Sequence, residues 1–340
     1  MLALKVEKKF AENARGELVS AKAFASGFKP VHDEKFVFFP TVKRVRLSVR
    51  HSFVQKKFKA ISKPKSLKEL LSHLLTQAQL KRMVSSYDIV GDIAIVEIPE
   101  ALLAKKTGIA KALMASNRRI KTVLRKASER KGKFRLKEYE WLAGAKKFAT
   151  LHKESGCFFK VDLAKTYFSP RLSSERLRIA SLAKDGERIL VLFSGVSPFE
   201  IVIAKRKRVF TKGVELNPYA SKLAKENVVL NHLQDKSETY CGDARVYAKK
   251  FGKWADRIVM PLPTQAHAFL SIVIENARKG SVIHYYDTGG EKEGVFKNAL
   301  KEIGKACKEK KRKFKVLAKR KVLPYAPRVF QVCVDFKILS

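Results

Sequence analysis

Between Arg188 and Pro218 the chain reads R-I-L-V-L-F-S-G-V-S-P-F-E-I-V-I-A-K, a short gap, then V-F-T-K-G-V-E-L-N-P. The residues able to do chemistry here are the small turn Ser194-Gly195-Val196-Ser197 and the acid Glu215. A turn of small residues lets backbone amides approach a ligand closely. A carboxylate accepts two hydroxyl donors at once, which suits a ribose diol. The elements that must position them follow from the flanking pattern. The apolar run Ile189 to Phe193 predicts a strand, Pro198 opens a helical pattern, and Arg208 to Val214 predicts a second strand that ends on Glu215. Strand, tight turn, helix, strand and acid make half of a doubly wound sheet, whose ligand crevice lies at the carboxyl ends of the strands. A plain buried βαβ core with an ordinary Ser-Gly turn is the alternative at this stage.

The 340 residues are enough for two or three domains, and the 46% hydrophobic fraction is that of a globular protein. The charge is unusual: 72 Lys and Arg against 32 acids give +40, and the pI is near 10.2. Such a surface repels itself unless a polyanion sits on it, so nucleic acid is the expected partner. A monomer is expected for the same reason. No apolar run is long enough to span a bilayer and no apolar signal segment opens the chain. Cys157, Cys241, Cys307 and Cys333 are far apart, and the His residues show no ligand spacing. Zinc and a disulfide framework are therefore not expected, and scattered thiols fit a cytoplasmic location.

Residues 1–60 predict a small α+β docking module: a strand at Leu2 to Val6, a helix from Ala11 to Phe24, and a strand at Lys35 to Pro40. Ser62 to Lys65 reads as a linker. Residues 61–168 predict a second α+β, RNA-binding and linking domain. It opens with a leucine-patterned helix, continues with a hairpin at 86–99 across Gly91-Asp92, and has a helix over Ala101 to Val123. Twelve Lys and Arg against one acid between Lys105 and Arg135 call for a phosphate backbone nearby. A strand-rich piece with a turn at Gly156 follows.

Residues 169–340 predict the catalytic α/β domain. Ser173 or Ser174 is expected to cap a helix starting near Glu175. After Glu215 come a helix to Asn231, a third strand ending in G-D-A-R, a fourth ending in M-P-L-P, a helix over Ala266 to Ala277 and a fifth strand at 280–286. A helix over Glu293 to Cys307 leads to two long strands around Pro324 to Pro327, expected as an antiparallel edge. Lys305 to Lys321 carries ten Lys and Arg and one acid, a second basic patch.

Nicotinamide dehydrogenases and class I S-adenosylmethionine (SAM) methyltransferases share this opening. Three features favour the methyltransferase. The loop is F-S-G-V-S-P-F rather than G-x-G-x-x-G, Asp243 ends the third strand where an acid can hold an adenine amino group, and prolines end the fourth.

At this point the chain resembles the archaeal and eukaryotic tRNA (guanine-37-N1)-methyltransferases and the related enzymes of wyosine biosynthesis. The resemblance rests on S-Y-D-I-V-G-D-I-A-I-V-E-I-P, F-R-L-K-E-Y-E-W-L-A-G, F-K-V-D-L-A-K-T-Y-F-S-P-R-L-S-S-E-R, F-S-G-V-S-P-F, V-E-L-N-P-Y-A, G-D-A-R, M-P-L-P-T-Q-A-H-A-F-L and G-S-V-I-H-Y-Y, in that order over nearly the whole length. Three positions depart from the family pattern: Val191 and Ser197 stand where an Asp and a Gly are usual, and Pro261 stands where an Asn is usual. The resemblance implies a C-terminal class I, Rossmann-like domain with a mixed seven-stranded sheet, preceded by two smaller α+β domains. It implies SAM as cofactor, tRNA as partner, and methyl transfer to N1 of guanosine 37. Aminocarboxypropyl transfer or methylation of the wyosine precursor, and a non-catalytic basic RNA-binding protein, are the alternatives.

N1 of guanine carries a proton, so the reaction needs a positioned base, a cation near O6 and an in-line methyl donor. By resemblance, Glu175 is the base and Arg135 the O6 or phosphate partner. Phe193, Ser194, Gly195, Val196, Pro198 and Phe199 wrap the cofactor, with Glu215, Leu216 and Asn217 at its ribose, Asp243 and Ala244 at its adenine, and Pro261 on the wall. Tyr167, Arg171, Arg176, Arg178 and Pro263 fall on the substrate side. For Glu175 the plain alternatives are a helix-capping acid or a surface ion pair.

Overall fold

The computed structural model describes residues 1–60, 66–82, 87–127, 132, 134 and 136–340. The expected linker at Ser62 to Lys65, the start of the 86–99 hairpin and Arg135 lie outside the described residues. The chain divides into two compact units, Met1–Ser66 and Leu67–Ser340.

In the first unit, β1 (Leu2–Glu7), α1 (Ala11–Ser20), β2 (Val31–His32), β3 (Phe36–Pro40) and β4 (His51–Gln55) form an antiparallel sheet of order β2-β3-β1-β4 with one helix. Leu4 and Val6 point to the same face of β1 and pack with Ala14, Leu18 and Phe39. The helix stops at Ser20, short of Phe24: Ala23 and Phe24 both bond to the carbonyl of Leu18 and turn the chain back.

The second unit opens with α2 (Leu67–Ser72) and α3 (Gln77–Arg82), then β5 (Asp88–Val90), β6 (Ile93–Val96), α4 (Lys106–Ser116), β7 (Thr122–Lys126) and β8 (Tyr139–Gly144). The strands form one sheet in the order β5-β6-β7-β8. The helix expected to reach Val123 ends at Ser116. Asn117 takes an extended conformation, and T-V-L then pairs in parallel with β6. β9 (Ala149–Glu154) and β10 (Cys157–Asp162) make a hairpin turned by Ser155 and Gly156, both at positive φ.

α5 (Ser173–Leu182) follows a 3-10 turn at Pro170–Leu172, so no serine caps it: the N-cap is Leu172. Then come β11 (Arg188–Leu192), α6 (Pro198–Ala204), β12 (Phe210–Glu215), α7 (Pro218–Leu230), β13 (Ser237–Cys241), α8 (Ala244–Phe251), β14 (Arg257–Met260), α9 (His267–Asn276), β15 (Val282–Gly290), α10 (Lys297–Glu309), β16 (Phe314–Ala326) and β17 (Val329–Ile338). The seven-stranded sheet has the order β13-β12-β11-β14-β15-β17-β16. β11 to β15 run parallel, and β17 is antiparallel to both β15 and β16. Ile189 to Leu192 are fully buried, as a central parallel strand covered on both faces requires. From β11 the order runs to β12 and β13 on one side and to β14 and β15 on the other, so the switch point lies at the end of β11. Among the described residues no helix is long and apolar enough to cross a membrane.

Candidate active site

The loop after β11 is tied on every side. Ser194 donates its amide to the Val214 carbonyl at 2.9 Å, and Ser197 donates back to the Ser194 carbonyl at 3.1 Å. The side chain of Asn227 donates to the Val196 carbonyl at 3.1 Å. Phe193, Gly195 and Ser197 sit at φ of 60°, 60° and 63°, left-handed positions that cost a non-glycine residue energy.

At this switch point lies a cavity of about 390 Å³, a usual size for a small-molecule site. Phe193, Gly195, Glu215, Leu216, Asn217, Asp243, Ala244, Pro261, Pro263 and Tyr167 all line it. Ser194, Val196, Pro198 and Phe199 are buried behind the loop instead. The Glu215 carboxylate accepts the Gly195 amide at 2.7 Å through Oε2 and the Asn217 amide at 2.8 Å through Oε1. Burial pushes the Glu215 carboxyl above its ordinary range, and the amides of Asn217, Gly195 and Leu216 work against that rise. Asn217 caps α7 and donates to the Lys165 carbonyl at 2.7 Å, which binds the end of β12 to the segment carrying Tyr167. Asp243 caps α8 and pairs with Arg245, Nη2 to Oδ2 at 2.7 Å.

Sequence reasoning missed several lining residues. Arg245 was legible as the last residue of G-D-A-R, where helix α8 went unrecognised. Gln265 and Phe269 also stand on the wall; both lie within M-P-L-P-T-Q-A-H-A-F-L, from which only the prolines were singled out. Phe269 meets Phe193 edge to face, with ring centroids 4.8 Å apart.

A second, broader groove of about 840 Å³ shares Tyr167 and Gln265 with the cavity. Phe168, Arg171, Lys126, Lys137 and Tyr325 are among its walls. Arg171 donates through Nε to Asp88 at 2.6 Å, linking the 3-10 turn at Pro170–Leu172 to β5.

Glu175, Arg176 and Arg178 line neither cavity nor groove. Glu175 is 1% exposed. Its Oε1 accepts from Tyr286 at 2.6 Å and from Arg178 Nη2 at 2.7 Å, and its Oε2 accepts from Arg178 Nε at 2.8 Å. Arg320 Nε lies 3.4 Å from Oε2. Glu175 is therefore not a cap; its carboxylate is buried on Arg178 and Tyr286, and it reaches the surface through the half-exposed Arg320. Arg176, also 1% exposed, is bonded to Glu154 and to the Ser169 carbonyl. A guanidinium at that depth must be paired, which takes Arg176 away from the substrate side.

Arg178 also pairs with Asp335. Burial opposes the Asp335 carboxylate, but His284 and Arg178 hold it well below the usual carboxylate range. His284 accepts from Arg257 Nη1 at 2.7 Å, so its proton is on Nδ1, donated to Asp335 at 2.6 Å. Burial keeps His284 below its ordinary pKa. His284, Cys333 and Asp335 bring ligand atoms within 4.8 Å of one another. The two guanidiniums already supply the positive charge there, which disfavours a metal cation.

The comparisons with known proteins agree with this geometry. Residues 150–317 match the TRM5/TYW2 methyltransferase domain, 67–147 the TYW2 N-terminal domain, and 3–46 the tRNA methyltransferase 5 N-terminal domain. The chain is 34% identical over 342 residues to the tRNA (guanine(37)-N(1))-methyltransferase Trm5b of Pyrococcus abyssi, covering 99% of each chain. The crystal structure of that protein superposes over 100% of both chains with a TM-score of 0.73. A structure described as the complex of aTrm5 and tRNALeu matches at 32% identity over 100% of both chains, with a TM-score of 0.71. A tRNA(Phe) (4-demethylwyosine(37)-C(7)) aminocarboxypropyltransferase of Pyrococcus horikoshii is 31% identical over 81% of this chain and 96% of its own. The chain belongs to the TRM5/TYW2 methyltransferase family.

Proposed function

We infer that this chain transfers a methyl group from SAM to N1 of guanosine 37 in tRNA, the reaction named for the relatives it matches end to end. One observation carries the reading: a nucleoside-sized cavity at the sheet's switch point shares Tyr167 and Gln265 with a broad groove bearing Lys126, Lys137 and Arg171. A cofactor and a base carried on a polyanion have adjoining places there. A cytoplasmic monomer acting on tRNA fits the net charge of +40.

The residues fit the cofactor. Glu215 has each oxygen oriented by a backbone amide, which leaves further lone pairs for the ribose hydroxyls. Asp243 and Ala244 open α8 on the adenine side, and Phe193 and Phe269 supply an apolar wall. When bound, SAM supplies an electrophilic methyl carbon on a sulfonium. Pro261 and Pro263 form the wall between cofactor and base, and Tyr167, which lines both cavity and groove, is the residue proposed to stack on the flipped guanine. Arg171 meets the phosphate backbone at the groove.

Glu175 is the residue proposed to take the N1 proton. To do so it exchanges Tyr286 or Arg178 for the base, and Arg320 at 3.4 Å is the cation through which it meets the surface. Arg178 holds the carboxylate in place, and Asp335 holds Arg178. Arg135 is proposed as the O6 or phosphate partner.

Aminocarboxypropyl transfer is the second reading, favoured by the 67–147 match and by the aminocarboxypropyltransferase relative. Nucleoside mass spectrometry of tRNA treated with the protein and SAM separates the two. Addition of one methyl group supports this reading; addition of an aminocarboxypropyl group, or of nothing, sinks it.

A further inference from the structure

Glu200, in the first turn of α6, is fully buried directly behind the loop that forms the cavity wall. Ser194 Oγ donates to its Oε1. Ser194 Oγ also lies 3.1 Å from Ser197 Oγ, so one carboxyl secures both ends of the four-residue turn. The other oxygen, Oε2, is buried without a partner. The carboxyl packs onto β12 at Gly213, where a Cβ would fall 2.1 Å from Oε1 and 2.7 Å from Ser194 Oγ. Only glycine leaves this space. Glu215 follows two residues later on the same strand.

A buried carboxylate with one bare oxygen is far costlier than the neutral acid. Among the described residues no cation is paired with it. α5 packs beside α6, but its Arg176 and Arg178 are committed to Glu154, Glu175 and Asp335. On β12 and β13, Lys212 and Glu238 are paired with each other; on β10, Lys160 pairs with Glu226 and Asp162 accepts from Tyr219; on β11, Arg188 pairs with Asp256. The charge acting on Glu200 is Glu215, of the same sign. Burial, with Glu215 adding to it, pushes the Glu200 carboxyl up to about 8, against the bond from Ser194.

We propose that Glu200 is a positioning residue of the nucleoside site: bonded through Ser194 and Ser197, it holds Phe193, Gly195 and Ser197 in their left-handed conformations, and it does so only in its neutral form. Ionisation places a bare anionic oxygen beneath the loop and beside Glu215, and the turn opens to hydrate it. The inference rests on the cofactor reading above, since the loop is the cavity's wall. It makes nucleoside affinity fall with rising alkalinity, although Glu200 touches no ligand.

The test is calorimetric binding of 5′-methylthioadenosine, which lacks the ammonium and carboxylate that would titrate in SAM itself. For the wild type, affinity falls roughly tenfold between about pH 7 and pH 9. Glu200→Leu binds weakly at both pH values. Glu200→Gln, a neutral isostere able to accept from Ser194, restores binding and removes the pH dependence. A wild type with no pH dependence, or a Glu200→Gln variant that follows the wild type, overturns the proposal.

Melting of the ligand-free proteins separates this from failure of the cofactor reading. An acid whose folded pKa is raised costs stability progressively as pH climbs from its unfolded value toward its folded one. The wild type therefore loses stability relative to Glu200→Gln between about pH 5 and pH 8. If neither protein binds methylthioadenosine, the cofactor reading fails, and parallel melting profiles would then overturn the Glu200 assignment as well.

Discussion

Oε2 of Glu215 accepts the amide of Gly195 at 2.7 Å, joining the end of the second parallel strand to the turn that follows the first. With Oε1 on the Asn217 amide, the carboxylate organises the cavity before any ligand arrives. Replacing Glu215 by Gln puts a donor where an amide donor already stands. Nucleoside affinity should fall roughly ten- to a hundredfold, the worth of one or two charge-assisted hydrogen bonds. Calorimetry with SAM checks it, and an unchanged affinity would remove Glu215 from the site.

Glu175→Gln keeps an acceptor for Tyr286 but cannot take a proton. The single-turnover rate should drop by about a hundredfold or more, while SAM affinity stays within a few fold. Because Glu175 is buried between Arg178 and Tyr286, a purely structural role makes a different prediction. In that case melting temperature falls and the rate of the folded fraction is retained.

Asp335 is bonded to both Arg178 and His284, and these partners hold its carboxyl below the ordinary range. A depressed folded pKa means the stability it contributes is present above the unfolded value, 3.8, and is lost as pH falls below it. Asp335→Asn leaves a buried guanidinium short of a partner and should cost about 3 kcal/mol at neutral pH. Chemical denaturation at pH 7 and pH 3 checks the sign: the gap between variant and wild type narrows in acid.

The charge of +40 implies a steep salt response. If the complex neutralises about six phosphates, tRNA affinity falls by roughly a thousandfold between about 50 mM and 200 mM salt. Filter binding across that range measures the slope. A flat response would leave the basic runs without a role in tRNA binding.

Much of this was legible in the sequence because local pattern and tertiary environment agree. The continuous apolar run of β11 is what a doubly covered parallel strand looks like, and Glu215 and Asp243 stand at strand ends where turn chemistry reveals them. Gln265 and Phe269 lie in a motif that was read, but an amide and an apolar ring at a helix start carry no charge or turn chemistry that marks them as lining a cavity. Arg176 and Arg178 read as substrate-side cations because a charge just upstream of the crevice suggests exposure to a polyanion. Two of their partners, Glu154 and Asp335, lie 22 and 157 residues away, beyond any local pattern, while Glu175 pairs with Arg178 within the helix. Ser173 or Ser174 reads as a cap because Ser-Ser-Glu has capping chemistry, but the preceding Pro-Arg-Leu turn already continues the helix backward.

The most direct test of the central claim uses two unmodified tRNA transcripts, one with guanosine at position 37 and one with adenosine there, each incubated with the protein and SAM. Nucleoside mass spectrometry should show 1-methylguanosine in the first and none in the second. Equal methylation of both transcripts, or no methylated guanosine in either, would contradict the account.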